Sequence, residues 1–474
     1  MNMSFVGLGK LGLCSAACFA AKGHRAIGVD SNAEHIDALQ SGQCPIDEPG
    51  LTALLDGCRE RMEFTTDCAY AVQNSDITLI TVPTPSDSSG RFSNAYVEAV
   101  LDRMARALKA KKTFHVVTLV STVMPTTCEC VFLPMLEKLT GKVCGRDFGF
   151  VYNPEFIALG SVIHDFLHPD MLLIGASDER SAQMCRELYA SVVENRPHYA
   201  VMNLTNAEIT KLSLNCYVTM KISFANELAA ICERIPEADV DVVTSALGAD
   251  TRIGRRYLTG GLGFGGPCFP RDNLAFQRCA EDAGADAHLS PRVVRVNDEV
   301  VNRLFAMVGE HARSGSTVAL LGLSYKPGTH IIEESQSVML ASQLLEAGYV
   351  VRMHDPKALK AVSEALCGRG VCCDDPYEAV ADACVVVMLT DWPEYSRLDM
   401  ERLEDRAGET PLLIDCWRVF RGVPLKKFTY RAFGISTRFS GGIEHGCRSD
   451  ILYQDRRGRT PVLERAPVQH PALT

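Results

Sequence analysis

The chain has 474 residues, 47% of them hydrophobic, with a formal net charge of −10 and 19 cysteines. That length supports two or three cored domains, and the negative charge argues against general nucleic-acid affinity. The sequence runs from Met1 straight into a strand and a glycine turn, and its apolar stretch Leu11–Ala21 is too short to cross a bilayer. We expect a cytoplasmic protein whose cysteines are reduced thiols. The spacings Cys128/Cys130 and Cys372/Cys373 suit no zinc site, so no metal is expected.

In chain order, Asn2–Gly7 reads as a strand, Leu11–Ala21 as a helix of small residues that can lie close on a sheet, and His24–Val29 as a second strand ending at Asp30. Apolar strands recur at Ile77–Val82, Val116–Val120, Phe148–Tyr152 and Met171–Ile174, with helical segments between. This alternation predicts a doubly wound parallel sheet. Asn203–Cys232 has a long helical pattern without Gly or Pro and is expected to form a central connecting helix with a shared or dimeric core. A second α/β unit starts near Gly315, with strands at Thr317–Leu323, Tyr349–His354 and Ala383–Leu389 and a helix at Ser335–Glu346. It lacks a GxGxxG turn. Beyond about residue 435 the periodicity fades, which predicts a flexible tail. The expected fold class is α/β: two Rossmann-like doubly wound domains (1–200 and 313–440) joined by a long central helix and a helical middle domain (201–312), with a tail at 441–474.

Four local patterns carry chemistry. Gly7-Leu8-Gly9-Lys10-Leu11-Gly12 follows a strand, opens a helix and is followed by Asp30 at the end of the next strand. In that context the glycine turn predicts a dinucleotide site, with the pyrophosphate at the helix N-terminus and Asp30 on the ribose 2′-hydroxyl, favouring NAD over NADP. Lys10 inside the turn can add charge near phosphate, although a lysine there is often simply solvated. Gly263-Phe264-Gly265-Gly266-Pro267-Cys268-Phe269-Pro270-Arg271-Asp272 sets a cysteine among glycines, with a cation and a carboxylate just after it. Such a thiolate can bond to a carbonyl carbon, with Arg271 stabilising charge and Asp272 handling a proton. Asn153-Pro154-Glu155-Phe156 follows a strand end, where α/β active sites form. Lys211 and Asn215 lie one helical turn apart, so both can hold an oxyanion.

With Val82-Pro83-Thr84-Pro85, Ser121-Thr122-Val123, Arg252-Ile253-Gly254, Gly322-Leu323-Ser324-Tyr325-Lys326-Pro327-Gly328-Thr329, His354-Asp355-Pro356 and Leu389-Thr390-Asp391-Trp392, these motifs occur in one collinear order over roughly residues 1 to 425. In that order the chain resembles the UDP-glucose/GDP-mannose dehydrogenase family. The resemblance implies NAD-dependent four-electron oxidation of a nucleotide-sugar C6 alcohol to the carboxylate, through a Cys268 thiohemiacetal and thioester. It implies catalytic roles for Cys268, Lys211, Asn215, Asp272, Glu155 and Thr122. Cofactor contacts are implied at Gly7, Gly9, Lys10, Leu11, Gly12, Asp30, Pro83, Thr84, Thr122 and Lys326. Substrate contacts are implied at Phe156, Ile157, Lys211, Asn215, Arg252, Phe264, Gly265, Arg271, Lys326 and Arg418. It also implies a homodimer or higher homo-oligomer, with Arg252 reaching across.

Five positions depart from the family pattern. Leu159 stands where a second glutamate is usual, Arg271 for lysine, Glu333 for arginine, Trp417 for arginine, and Met171 follows Pro169-Asp170 where Pro-Asp-Arg is usual. They cluster on substrate contacts. A related hexose nucleotide, a two-electron oxidation, an isomerisation with held NAD, and a non-catalytic nucleotide-sugar-binding relative therefore stand as alternatives. A hydroxyacid dehydrogenase of the 6-phosphogluconate type needs no cysteine in a glycine loop.

Overall fold

The apolar, β-branched runs separated by helical segments pair edge to edge into two sheets in a computed structural model that describes residues 1–436. The tail expected at 441–474 lies outside the described residues. The first sheet contains β1 (Asn2–Val6), β2 (Arg25–Val29), β3 (Met62–Thr65), β4 (Ile77–Ile80), β5 (Val116–Leu119), β6 (Gly149–Tyr152), β7 (Met171–Ala176) and β8 (His198–Met202). Its order is β3-β2-β1-β4-β5-β6-β7-β8. The second contains β9 (Thr317–Leu321), β10 (Val350–His354), β11 (Val371–Cys372), β12 (Val385–Met388), β13 (Leu412–Asp415) and β14 (Thr429–Ala432), in the order β11-β10-β9-β12-β13-β14. Both sheets thus share the arrangement third-second-first-fourth-fifth-sixth, in which ligands sit outside the carboxyl ends of the strands where the order reverses.

One pairing departs from the expected parallel sheet: β6 and β7 run antiparallel, with Val151 opposite Ala176. After β6 the chain forms only the short helix Val162–Leu167. Phe166 of that helix packs edge-on against Phe19, with ring centroids 5.3 Å apart. Held at that edge, the helix does not cross back over the sheet, and the chain re-enters in the opposite direction.

The helix Lys10–Ala21 buries Gly12, Cys14, Ala16, Ala17, Cys18 and Ala20, and these short side chains let it lie close to the strands. The central helix Leu204–Cys232 is capped by the Asn203 side chain accepting from the Asn206 amide. At 29 residues it is about 43 Å long. It packs beside the helices Phe269–Asp282 and Leu289–Gly309. Among the described residues, the cysteines are free thiols, no cluster of His, Cys, Asp and Glu is arranged to hold a metal ion, and no helix is long and apolar enough to cross a membrane.

Candidate active site

Gly7 leaves β1 at φ +95°, a conformation that side chains resist, and its amide donates to Val29 O at 2.8 Å. A Cβ on Gly12 would lie 2.0 Å from Gly7 O, so only glycine lets the helix start so close to the turn. A Cβ on Gly9 would meet nothing within 4 Å, and Gly9 caps the helix without a side-chain hydrogen bond. The first amides of Lys10, Leu11 and Gly12 therefore carry the helix's partial positive charge beside open space. Asp30 Oδ2 accepts from Leu8 N at 2.9 Å and Oδ1 from Asn32 N at 2.9 Å, fixing the carboxylate at the mouth of the turn. These residues fit the pyrophosphate and ribose of NAD. The loops after β4 and β5 are tied together: Thr84 Oγ1 donates to Thr122 O at 2.6 Å and Ser121 Oγ to Val82 O at 2.6 Å. Pro83 is exposed beside them and Thr122 is half-buried.

The cysteine loop is clasped from both sides. Phe264 N donates to Asn297 Oδ1 (2.7 Å), and Asn297 Nδ2 donates back to Phe264 O (3.0 Å). Gly263 N donates to Gln336 Oε1 at 2.6 Å and Gly266 N to Glu333 O at 2.9 Å. A Cβ on Gly265 would fall 2.3 Å from Glu334 O, and one on Gly266 would fall 2.7 Å from the Tyr325 ring. The glycines are there because the segment 325–336 presses against this backbone.

Cys268 caps the helix Phe269–Asp282, and Pro270 occupies its first turn. The residue is exposed to solvent on part of its surface, with protein packed around the rest. That burial is the main cause holding the thiol above its ordinary value; Asp272 adds to the rise, while Arg271 and Lys211 oppose it. Asp272 is 1% exposed. Its Oδ2 accepts from Asn215 Nδ2 at 2.6 Å, and Arg271 Nε stands 3.6 Å from Oδ1. Burial raises this carboxyl too, against the pull of Arg271, Lys211 and Asn215. Arg271 Nη1 donates to Thr84 O at 3.1 Å and its guanidinium lies 4.6 Å from the centre of the Phe92 ring. The cysteine loop is thereby joined to the loops at the end of the first sheet.

Lys211 is buried; its Nζ donates to the backbone oxygen of Glu155 at 2.6 Å and lies 4.5 Å from the centre of the Phe156 ring. Burial lowers its proton affinity, opposed first by Asp272. Glu155 Oε1 accepts from Tyr189 Oη at 2.9 Å. Burial pushes this carboxyl up to about 7, although the Tyr189 hydrogen bond and Lys211 both favour the charged form. Glu155, Phe156, Lys211, Asn215, Cys268, Arg271, Asp272 and Thr84 thus form one connected group.

Other expected site residues fall elsewhere. Ile157 and Leu159 pack against the apolar core beneath the first sheet, so Leu159 supplies packing where a carboxylate is usual. Lys326 is half-buried, with its proton affinity lowered by burial against Asp165 and Glu48. A Cβ on Gly160 would lie 3.2 Å from Gly328 O, so this loop and the Asn153–Gly160 segment meet directly. The Arg252 side chain is 86% exposed and pairs with Asp250, outside the connected group of its own chain. Arg418 corrects an expectation. Its side chain is 1% exposed, and its N–H groups donate to both oxygens of Asp241 and to the carbonyls of Cys416, Phe433 and Gly260. All five donors are engaged, so this arginine braces the fold and has none left for a substrate. Trp417 beside it donates from Nε1 to Leu389 O at 2.7 Å and covers Gly261. Glu333 is exposed and adds slightly to the rise at Cys268.

Sequence reasoning missed Tyr189, Asn297, Gln336 and Glu48. Glu48 is 6% exposed and accepts from Gly160 N and Val162 N, holding the loop after Glu155. Glu48 stands in a turn marked by Pro45, Pro49 and Gly50, a signal that could have found it; Asn297 and Gln336 stand among other polar residues, and Tyr189 near the end of a helix, with nothing local to set them apart.

A dinucleotide turn on one sheet, facing a cysteine loop clasped by a second unit of the same strand order, is the architecture of an NAD-dependent nucleotide-sugar dehydrogenase. Residues 1–193 match the NAD binding domain of the UDP-glucose/GDP-mannose dehydrogenase family, 205–299 its central domain and 319–422 its UDP binding domain, and the chain belongs to that family. It is 35% identical to the UDP-glucose 6-dehydrogenase AglM of Haloferax volcanii over 85% of this chain and 94% of that protein. It is likewise 35% identical to the UDP-glucose 6-dehydrogenase of Rhizobium meliloti over 91% of this chain and 98% of that one. Among solved structures, a UDP-glucose dehydrogenase from Pyrobaculum islandicum superposes with a TM-score of 0.81 at 35% identity, covering 90% of this chain and 96% of that one.

Proposed function

We propose that this dehydrogenase oxidises the C6 alcohol of UDP-glucose, or a closely similar nucleotide hexose, by four electrons to the uronate, with Cys268 as covalent carrier. The observation that carries the reading is that the central helix sets Lys211, bonded to the Glu155 backbone oxygen, one turn from Asn215, bonded to Asp272, whose own amide donates to Cys268 O. NAD⁺, which the Gly7–Gly12 turn and Asp30 would hold, would supply the hydride acceptor for the carbon being oxidised, two molecules per sugar. Lys211 and Asn215 hold the substrate oxygen as its proton passes to the Asp272 carboxylate and it becomes a carbonyl. Cys268 Sγ then adds to that carbonyl carbon; an S–C bond forms and the oxygen takes up a proton, giving a thiohemiacetal. Loss of a second hydride and that proton leaves a thioester. Glu155 takes a proton from water as it attacks the acyl carbon, the C–S bond breaks, and the uronate leaves with Cys268 regenerated. Asp272 and Arg271 keep the sulfur's charge balanced through both stages. Thr122 and Thr84 line the nicotinamide side, with Phe156, Phe264, Gly265 and Lys326 around the substrate.

The UDP-glucose 6-dehydrogenase relatives support the choice of sugar. The long central helix supports a homodimer: Tyr217, Phe224 and Ile231, seven residues apart on one face, are 57%, 49% and 51% exposed. In such a dimer Arg252 would serve the partner's site. The test is incubation of purified protein and NAD⁺ with UDP-glucose, UDP-N-acetylglucosamine, UDP-N-acetylmannosamine and GDP-mannose, with products weighed by mass spectrometry. The reading expects UDP-glucuronate from UDP-glucose at the highest kcat/KM; an aldehyde as final product, or preference for an N-acetylated sugar, would overturn it.

A further inference from the structure

The Cys268 group and the glycine turn lie at the carboxyl ends of the parallel strands of the first sheet. At the opposite edge, before β5 and β6, lies an open cleft of about 530 Å³ lined by Lys109, Lys111, Lys112, Lys142, Arg146 and Arg180, with Asp147 as its single acidic wall residue. Six cations in one cleft are unexpected in a chain of net charge −10. Three of them are held in place without being neutralised. Lys111 Nζ donates to the carbonyls of Val72, Gln73 and Ser75 at 2.7, 3.0 and 2.7 Å. Lys142 Nζ donates to Lys111 O. The Arg180 guanidinium is stacked 3.8 Å from the centre of the Phe114 ring. Carbonyls and a ring fix these positions but remove none of their charge. Lys109 and Lys112 are exposed at the rim.

The neighbouring acids are otherwise engaged. Asp147 accepts from Val143 N and pairs with Arg146. Asp178 accepts from Ser181 N, Ser177 Oγ and Ser181 Oγ. Asp76 accepts from Asn2 N. The excess positive charge reaches the interior. Buried His115 is pushed down to about 3, by burial first and then by Lys111 and Lys142.

We propose that this cleft is a binding site for a phosphate chain of three or more phosphates, separate from the NAD and sugar-nucleotide sites. Lys109, Lys112, Lys142 and Arg180 suit a string of phosphate oxygens, with Arg180 providing a planar fork and the lysines point charges; Lys111, whose three N–H groups are all engaged, adds charge from beneath. Clustered like charges repel one another until a multivalent anion compensates them. Free nucleoside triphosphate and inorganic polyphosphate share this chemistry.

The test is calorimetric titration of the full chain, saturated with NAD⁺ and UDP so that both expected nucleotide sites are filled, at fixed ionic strength. The titrants are tripolyphosphate, ATP and sulfate. Tripolyphosphate is expected to bind at one site per chain and at least tenfold more tightly than sulfate. The double variant Lys112→Glu/Arg180→Glu is expected to lose at least tenfold in tripolyphosphate affinity with NAD⁺ affinity and melting temperature unchanged. ATP binding tenfold tighter than tripolyphosphate supports a nucleotide ligand, and equal affinity supports the phosphate chain alone. Tripolyphosphate binding no tighter than sulfate, or undiminished in the double variant, would overturn the proposal.

Discussion

The two sheets repeat one design and use it differently. In the first, Gly7 N bonds Val29 O, Leu8 N bonds Asp30, and the helix starts at once at Lys10. In the second, Gly322 (φ +93°) bonds His354 O and Leu323 N bonds Asp355, but the helix waits until Gln336. The intervening loop carries Tyr325, Glu333 and Glu334 onto the glycines ahead of Cys268. The aspartates diverge accordingly. Asp30 accepts two backbone amides at a half-buried position. Asp355 is 2% exposed and accepts from Leu323 N, Ser324 N, Ser324 Oγ, Trp392 Nε1, Lys357 N and Ala358 N. One turn is left open for a dinucleotide, while the other is tied shut and its loop holds the glycines ahead of Cys268.

That contrast can be broken most forcefully at Asp355. Asp355→Ala removes the shared acceptor of six donors, five of them buried, and is expected to lower unfolding free energy by about 3–5 kcal/mol, read as a fall in the denaturant midpoint. Asp30→Ala should leave that midpoint nearly unchanged. Next is Gly12→Ala, whose Cβ would collide with Gly7 O; it is expected to weaken NAD⁺ by roughly a hundredfold or more, about 2.7 kcal/mol, in equilibrium titration. Asp30→Ala follows, with NAD⁺ weakened by roughly tenfold, about 1.4 kcal/mol; an equal loss of folding stability in the two aspartate variants would erase the distinction between the turns.

The smallest effect is expected at Tyr189. Its hydroxyl donates to Glu155 and so favours the carboxylate. Glu155 must be ionised to act as a base, and its carboxyl is already pushed up to about 7 by burial, so activity should fall as pH drops through that value. Tyr189→Phe removes a donor to the charged form, raises the carboxyl further, and should move the acid limb of the kcat profile to higher pH by roughly one unit. An unmoved limb would mean that Glu155 is not the group titrating.

What was legible in the sequence is what local backbone geometry forces. Gly7, Gly9 and Gly12 between a strand and a helix, and Gly263, Gly265 and Gly266 before Cys268, mark places where a Cβ would collide or where open space is kept. The inner strand runs other than β13 and the central helix were legible from periodicity to within a few residues, whereas β13 and the edge strands β3, β8, β11 and β14 were not read. The antiparallel β7 was not, because it depends on Phe166 finding Phe19, a contact between distant segments. Tyr189, Asn297 and Gln336 reach the site across the tertiary fold, and nothing in their neighbours announces it. Arg418 misled because a polar residue near a motif looks open to substrate, whereas Asp241, distant in sequence, closes over it.

The covalent role of Cys268 is tested most directly by counting NADH formed per UDP-glucose consumed, in the wild-type protein and in Cys268→Ala side by side. The account predicts two in the wild type and no more than one in the variant, with no uronate formed; two in both proteins would contradict it.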